Sequence, residues 1–351
     1  MAPSALTLAF DAQLSTTLFN YRKTIEDNIS KSSAFMYQLM KLDPSGYQKV
    51  QVSGDRMMMP LMYELGQADS YSGYDVLSTT PIDGMTACFW DWCQASVPIA
   101  ISSREEKLNR GEAQIANLLE GKTKQAELGI QDFFNKRVLL GAGGTSITSA
   151  YSSVMNGSSF VDPLAKIVAY DPTTSTSVGN INQLTYSWWQ NKTASQTGST
   201  YKAFLIELRK LRMKTGRGPG GFPNLHVVDE DTYALYEGAL AAAHQNPSYQ
   251  KADIPFDNIA FYGKPVTADE YVPDVQGGSE TQSTSSGTWW MLNTQFFGFK
   301  VDTETDFAPS PFVKPENQDA KVAHILWFGG FGCSNRRKQG VMGGIDTTMT
   351  A

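Results

Sequence analysis

The sequence has little of what a disulfide-bonded or membrane-spanning protein needs. Its three cysteines are Cys88, Cys93 and Cys333, and an odd number without paired spacing argues against a disulfide framework and fits a reducing compartment. No stretch approaches the roughly 18 consecutive apolar residues of a membrane span, and the short apolar start lacks the basic residues of a signal peptide. The sequence therefore predicts a protein without disulfides, secretion signal or membrane partner.

Charge is also scarce. Charged residues make up 18% of the 351 residues, and 35 acidic residues outnumber 29 basic ones, which gives a net charge of −6. This balance argues against nonspecific nucleic-acid binding as the main function. The many Gly, Ser, Thr, Tyr and Trp residues instead favour extended β segments and large interfaces.

The residue types of catalytic and metal sites are few and scattered. The histidines His226, His244 and His324 have no second histidine, cysteine or carboxylate at ligand spacing. His226 and His324 lie in strand-like segments and are interpreted as core or interface histidines. A Gly-x-Ser-x-Gly nucleophile motif is absent as well. We therefore predict no catalytic residue, no bound metal and no cofactor.

Two polar stretches have a functional and a plainer interpretation. The glycine-rich loop at 216–221 lacks the Gly-Lys-Ser/Thr end of a phosphate-binding loop, so a surface loop is favoured. Asp302, Glu304 and Asp306 alternate along a predicted strand and would share one face, which suits calcium or acid–base chemistry. A solvated face or an intersubunit salt bridge is the favoured interpretation of that run.

Arg336, Arg337 and Lys338 form the tightest basic cluster of the chain. Such a cluster is able to neutralise nucleic-acid phosphates or to pair with carboxylates of a neighbouring subunit, and the sequence does not separate the two.

A long helix is predicted over 102–140. Ser102 and Ser103 each precede a glutamate by three residues, which is the spacing of a capping box, and glycines follow the end of the segment. Such a helix would be roughly 57 Å long, too long for burial in one compact core. It is interrupted by three glycines, at Gly111, Gly121 and Gly129. They indicate either close packing against another backbone, which is favoured, or a helix that must bend.

Other segments need a partner or form a globular unit. Residues 11–42 are predicted to form an amphipathic helical arm. Residues 45–100 are predicted to form an extended hairpin of two long strands with a polar middle. A lone hairpin is marginally stable, so its methionines and aromatic residues are predicted to be covered by another chain. From 201 to 245 the pattern predicts helix, strand and helix, which marks a globular unit of helices and strands.

The order of these elements resembles tailed-bacteriophage major capsid proteins of the Hong Kong 97 fold. That α+β fold has an N-terminal arm, an extended hairpin called the E-loop, a spine helix, a peripheral domain and an axial domain. Several stretches of this chain are also similar to phage capsid sequences: Pro60–Gly66, Ala68–Tyr74, Gly111–Leu119, Ser187–Asn191, Asn317–Gly329 and Cys333–Val341.

The resemblance implies a division of the chain and a set of assembly residues. The segments are the N-terminal arm 1–46, the E-loop 47–100, the peripheral domain 101–182 and 300–331 with spine helix 102–140, and the axial domain 183–299 and 332–351. The residues predicted at subunit interfaces are Met57, Met58, Met59, Tyr63, Trp90, Trp92, Arg336 and Arg337. The spine glycines would allow the helix to bend in a precursor shell and straighten in the mature one.

The resemblance also implies function and partners. Copies of the chain would form pentamers and hexamers, and these would build the icosahedral head shell of the virion around nonspecifically held double-stranded DNA. Assembly would take place in the host cytoplasm with a portal protein and, since no fused scaffolding segment precedes the arm, a separate scaffolding protein; a decoration protein is a further candidate. Lys49 lies at the base of the E-loop, so no covalent crosslink is expected.

Two alternatives to a capsid protein are kept. One is an encapsulin-like nanocompartment shell protein, which shares the fold. The other, less favoured, is an α/β enzyme built on residues 225–245.

Overall fold

A computed structural model describes most of the chain after the N-terminal arm. The described residues are 35–36, 39, 46–66, 68–77, 83–108, 118–140, 161–196, 198–243, 259–273, 275 and 286–349. The helix predicted over 11–42 lies outside these ranges except for Phe35, Met36 and Leu39, which are helical and buried. The chain divides into two compact units, one of 1–31, 95–133 and 304–327 and one of 32–94, 134–303 and 328–351.

Helices and strands both occur in the described residues, mostly in runs of one type. The described helices are α1 (Ser103–Leu108), α2 (Leu118–Leu140), α3 (Leu164–Ile167), α4 (Tyr201–Thr215) and α5 (Glu230–Ala243). The strands are β1 (Tyr47–Val50), β2 (Arg56–Met62), β3 (Met85–Asp91), β4 (Cys93–Ser102), β5 (Ser177–Val178), β6 (Ile181–Asn182), β7 (Lys192–Ser195), β8 (Leu225–Val228), β9 (Ala260–Phe261), β10 (Lys264–Ala268), β11 (Ser286–Leu292), β12 (Phe297–Asp302), β13 (Ala308–Pro309), β14 (Ala320–Cys333) and β15 (Gly340–Asp346).

The first unit contains the start of the predicted spine helix, and the capping box is formed there. The backbone N–H of Ser102 donates to Glu105 Oε2 at 3.1 Å, and the N–H of Glu105 donates to Ser102 Oγ at 3.2 Å. These two bonds satisfy donors that the first turn of a helix leaves open. Lys122 of α2 donates to the same Glu105 carboxylate at 2.9 Å. The predicted helix start is confirmed, with Ser102 and not Ser103 as the cap.

Residues of α2 are buried at four-residue spacing, as expected of a helix with one apolar stripe. They are Ala126, Ile130, Phe134 and Val138. The neighbouring Phe133 is half-buried, whereas the ring of Phe134 is fully buried. Residues 109–117 of the predicted helix lie outside the described ranges.

The second unit contains a six-stranded mixed sheet in the order β7-β15-β11-β8-β10-β9. Helix α4 contacts β7 and β15, and helix α5 contacts β10 and β11. Both helices bury apolar residues in one core with the sheet: Phe204, Leu208, Leu211, Leu235, Tyr236, Ala239, Val228, Val266, Trp289, Met291, Met342 and Ile345. The strand and helices predicted between 201 and 245 are confirmed within a residue or two. Helix α4 begins where Thr200 accepts a hydrogen bond from the N–H of Ala203.

A second sheet corrects the predicted long hairpin. Strand β1 pairs in parallel with β12, and β12 pairs antiparallel with the 329–333 part of β14. The segment at Tyr47–Val50 is therefore not part of the hairpin, which consists of β2 and β3 alone. Strand β12 ends at Asp302, and bends follow it. The prediction that Asp302, Glu304 and Asp306 share one face of a strand is therefore wrong.

A buried carboxylate joins α2 to the end of β10. Asp269 accepts hydrogen bonds from Asn135 Nδ2 at 2.9 and 3.0 Å, from the N–H of Tyr271 at 3.1 Å and from the N–H of Phe35 at 3.4 Å. Burial raises the pKa of Asp269 to about 6, although these donors partly oppose the rise. The contact ties the helical segment around Phe35 to the same unit as the sheet.

Candidate assembly surfaces

The β2–β3 hairpin has an inner and an outer face because side chains of a strand alternate. Its register pairs Met57 with Trp90, Met59 with Cys88 and Met62 with Met85. Met57, Met59, Cys88 and Trp90 are buried, whereas Met58, Met62 and Met85 are 60–77% exposed. The inner face is thus packed on the chain itself, and the outer face presents a methionine stripe.

Two glycines of β14 make room for the inner face. A Cβ atom at Gly332 would lie 2.8 Å from Cγ of Trp90, closer than a real Cβ contact allows. A Cβ atom at Gly330 would lie 3.4 Å from Cε of Met57. The Gly-Gly-Phe-Gly run at 329–332 therefore forms a flat platform on which the indole of Trp90 rests.

A third glycine, Gly179, completes this anchor from the β5–β6 turn. Its φ is +60°, and its Cβ position lies 3.1 Å from Cβ of Cys88 and 3.2 Å from Cζ2 of Trp90. Its carbonyl accepts a hydrogen bond from the N–H of Phe89 at 3.0 Å. The base of the hairpin is therefore held by packing and by backbone pairing.

The three thiols are buried around this anchor. Burial raises the pKa of Cys88, and it raises those of Cys93 and Cys333 to about 12. The thiol of Cys88 donates to the carbonyl of Cys333 at 3.7 Å. All three cysteines are unbridged, as predicted, and behave as small apolar residues.

The far end of the hairpin is rich in exposed apolar side chains. Strand pairing continues to a hydrogen bond of 2.9 Å from the N–H of Tyr63 to the carbonyl of Gly84. Beyond it the large exposed residues are Leu65, Tyr71, Tyr74, Val76 and Leu77. These exposed apolar groups and the methionine stripe form a candidate interaction surface, since methionines adapt well to a partner.

Tyr63 and Trp92 are intermediate in burial between the inner and the outer face of the hairpin. Each is half-buried: Tyr63 stacks on Trp188 with ring centroids 5.1 Å apart, and Trp92 stacks on Phe328 at 5.9 Å. Both rings keep part of their surface accessible, and their intrachain contacts fix their orientation.

The predicted basic cluster is divided by a 3-10 turn at Arg336–Lys338. Arg336 is completely buried, and its guanidinium donates to the carbonyls of Ile167 at 2.7 Å and Trp189 at 3.2 Å. It also donates to Gln183 Oε1 at 2.9 Å and Asn191 Oδ1 at 3.1 Å. This side chain connects four positions of its own chain, so the prediction that it faces phosphate or a neighbouring subunit is corrected.

Lys338 is nearly buried too, while Arg337 is exposed. The Nζ atom of Lys338 donates to the carbonyls of Gly218 at 3.0 Å and Gly221 at 3.2 Å. The glycine-rich loop at 216–221 thus holds an internal ammonium group through its carbonyls. Of the three cations, Arg337 alone keeps the surface position that the sequence predicts for all three.

The spine glycines are only partly described. Gly111 lies outside the described residues, and Gly121 is half-buried in α2. Gly129 is exposed, and a Cβ atom there would have nothing within 4 Å. Within the subunit, close packing therefore does not explain Gly129, and a role in bending stays a prediction.

The two described histidines, His226 and His324, have different surroundings. His226 is fully buried, accepts a hydrogen bond from Trp289 Nε1 at 3.4 Å, and has its pKa lowered to about 3 by burial. It is a neutral core histidine, as predicted. His324 is exposed on β14, and His244 lies outside the described residues.

In the described ranges no group of three or more His, Cys, Asp or Glu could hold a metal ion. Among the described helices, none is long and apolar enough to cross a membrane.

The interface residues named from the sequence thus separate by burial. Met58 and Arg337 are exposed, Tyr63 and Trp92 are half-buried, and Met57, Met59, Trp90 and Arg336 are covered by their own chain. Met62 and Met85, which are exposed on the same face as Met58, were not named from the sequence. The sequence does contain a signal for this division, because side chains two residues apart in a strand lie on the same face. Met58 and Met62 share one face, and Met57 and Met59 share the other.

Comparisons with known proteins identify the fold. No protein-family model matches the sequence, and no curated protein does. Solved structures do match: the capsid of cyanophage A-1(L) with a TM-score of 0.61 at 11% identity, over 93% of this chain and 97% of that one. The capsid of Myoviridae phage XM1 matches with 0.59 at 10% identity, over 98% and 99%.

An encapsulin is similar as well. The SrpI encapsulin of Synechococcus elongatus PCC 7942 matches with a TM-score of 0.56 at 10% identity, over 100% of this chain and 99% of that one. These likenesses extend over nearly the whole chain in each case. The chain therefore has the Hong Kong 97-like α+β fold of phage capsid proteins, as the sequence resemblance predicted.

Proposed function

We propose that this chain is a major capsid protein whose copies assemble into the icosahedral head shell of a tailed bacteriophage. The main support for this proposal is the fold, which matches phage capsid structures over at least 93% of the chain. The exposed methionine stripe and the apolar hairpin tip support the proposal, because a subunit that assembles needs such surfaces. The role is structural and involves no catalysis.

The segments named from the resemblance keep their proposed roles, except that the E-loop is narrowed from 47–100 to the hairpin of β2 and β3. The β2–β3 hairpin is the E-loop, whose outer face and tip lie on a neighbouring subunit. The six-stranded sheet with α4 and α5 is the core of the axial domain, since its strands fall within 192–292 and 340–346. With these roles, copies of the chain associate into pentamers and hexamers through their axial domains and E-loops. A scaffolding protein, a portal protein, a decoration protein and packaged double-stranded DNA are the further proposed partners, with assembly in the host cytoplasm.

An encapsulin-like shell is the second candidate, because the encapsulin structure matches over the full chain. Both candidates assemble closed shells, so shell formation alone does not separate them. A capsid retains packaged DNA with its phage partners, whereas an encapsulin encloses a cargo protein. Most of the similar structures are phage capsids, which favours the first candidate.

Electron microscopy of the expressed chain, alone and with scaffolding protein from the same source, tests the proposal. Closed shells or rings of five or six subunits are expected. A chain that stays monomeric under both conditions would contradict it. Particles that form without scaffold and co-purify with one cargo protein instead of DNA would select the encapsulin alternative.

The hairpin tip allows a more specific test. Because Tyr63 and Gly84 are still paired, residues 65–83 can be replaced by a short Gly-Ser turn without removing the anchored base. The shortened chain is expected to keep its thermal stability as an unassembled subunit and to assemble poorly. Shells of normal yield from this variant would refute the E-loop assignment.

A further inference from the structure

The six-stranded sheet has cations along one edge. Strand β7 is the edge strand on this side and carries Lys192. Burial lowers the pKa of Lys192, and the nearby charges of Arg337, Lys214 and Arg217 lower it further. The fold agrees with this proximity to Lys192: α4 contacts β7, and the N–H of Lys192 donates to the carbonyl of Gln339 at 3.0 Å, next to the turn that carries Arg337. The cations gather here in a chain whose net charge is −6.

Helix α4 extends this group of cations. The exposed residues of the helix follow one stripe, and a shallow depression beside it is lined by Ile206, Arg209, Lys210, Met213, Lys214 and Arg217. Lys210 also pairs with Glu207 at 2.7 Å, an exposed bond of small energetic weight. We call Lys192, Lys210, Lys214, Arg217 and Arg337 the positive edge. Ile206 and Met213 add exposed apolar surface to it.

Helix α5 packs on β10 and β11, towards the other side of the same sheet, and carries exposed carboxylates. Helix α5 exposes Glu230, Asp231 and Glu237. The hydroxyl of Tyr233 accepts a hydrogen bond of 3.1 Å from the N–H of Ile259, immediately before the edge strand β9. Glu230 and Glu237 lie three residues before and four residues after Tyr233, so they share its side of the helix and lean towards β9. We call Glu230 and Glu237 the acidic edge.

We propose that the positive edge of one copy docks against the acidic edge of the next copy in a head-to-tail ring. Opposite charges on these two edges suit a heterologous contact, which closes into a ring when the rotation between copies permits. The charges would set the orientation of neighbours and steer their encounter, and Ile206 and Met213 would be covered between them. This inference rests on the proposed function, since it names the partner of the axial domain as a second copy.

Charge reversal tests this docking directly. One variant carries Lys210→Glu, Lys214→Glu and Arg217→Glu, and a second carries Glu230→Lys and Glu237→Lys. Each reversal creates like charges across the contact and is expected to raise the concentration needed for assembly by about tenfold or more. A third variant with all five changes restores opposite charges and is expected to assemble at about the wild-type concentration.

Two controls accompany the reversals. Glu127→Lys with Glu316→Lys changes the net charge as the acidic-edge reversal does, at exposed positions outside this sheet, and is expected to have little effect. Glu230 lies in the first turn of α5, where lysine opposes the helix dipole, so Glu237→Lys is also measured alone. Thermal melts of the unassembled subunits verify that each variant is folded.

Sedimentation velocity and electron microscopy, at low and at raised salt, separate the outcomes. Loss of assembly in the single reversals with recovery in the combined variant supports the docking, as does wild-type association that weakens with salt. Reversals that assemble like wild type, or a folded combined variant that does not recover, would overturn it and leave the capsid proposal standing. A positive-edge reversal that lowers nucleic-acid retention alone would also overturn it. Charge-dependent rings with a subunit number other than five or six would support the docking and contradict the capsid proposal.

Discussion

The substitution Arg336→Lys keeps the buried positive charge but removes the planar set of donors around it. In the wild type, three guanidinium nitrogens donate to four oxygen atoms at 2.7–3.2 Å. A lysine carries all its donors on one nitrogen and cannot reach acceptors arranged around a planar fork. We expect at least two of the four acceptors to lose their donor inside the protein.

The expected magnitude follows from those lost bonds. A buried polar group left without its partner costs about 1–3 kcal/mol, so two of them lower the free energy of unfolding by roughly 2–6 kcal/mol. That is a large part of the 5–15 kcal/mol that is typical of a folded domain. The segments that contribute Ile167, Gln183 and Asn191 would be released together, because the same side chain connects them.

Urea unfolding of the unassembled subunit, followed by tryptophan fluorescence, measures this effect. Arg337→Lys is the matched control, since its side chain is exposed one residue away, and we expect a change within about 0.5 kcal/mol. A loss of less than 1 kcal/mol for Arg336→Lys, or equal losses for both variants, would refute the view that Arg336 connects these segments.

Three further substitutions test other parts of the fold. Gly332→Ala places a Cβ 2.8 Å from the Trp90 ring, so calorimetry should show a loss of about 1–3 kcal/mol, with Gly66→Ala, which has open space, as the unaffected control. Gly129→Ala fills open space on an exposed helix and should stabilise the unassembled subunit by about 1 kcal/mol; if the helix must bend, time-resolved scattering should show slower shell expansion, and unchanged expansion would exclude that role. Because burial raises the pKa of Asp269 to about 6, above its value near 3.9 in an unfolded chain, its contribution to stability is full below pH 4 and lost as the pH rises through 6. Asp269→Asn should therefore reduce the difference in unfolding free energy between pH 4 and 7 by about 2–3 kcal/mol in urea titrations, and an unchanged difference would show that Asp269 titrates normally.

The site was predicted less well than the fold because burial depends on pairing partners. The sequence grouped Met57, Met58 and Met59 as one apolar patch. The strand sends Met58 to the outside and the other two onto the glycine platform of β14, some 270 residues further along the chain. The glycines at 330 and 332 have a role only once Met57 and Trp90 are opposite them.

The basic cluster illustrates the same limit. Three consecutive cations normally indicate a solvated surface, because burying a charge without partners is costly. Arg336 and Lys338 are buried because carbonyls and amides from residues 117 to 169 positions earlier in the chain surround them. No local pattern contains that information.

The sequence was sufficient to predict the elements that depend on residues close together in the chain. The capping box at Ser102 and Glu105, the apolar spacing of α4 and the short buried strand at Leu225–Val228 are set by side-chain size and hydrogen bonding within a few residues. The order of such elements, together with the local stretches similar to phage capsid sequences, was enough to indicate the Hong Kong 97-like fold. Tertiary structure alone decided that Tyr47–Val50 joins β12 and that Arg336 is internal. Each of these depends on contacts between residues far apart in the chain, and such contacts leave no periodic trace in the sequence.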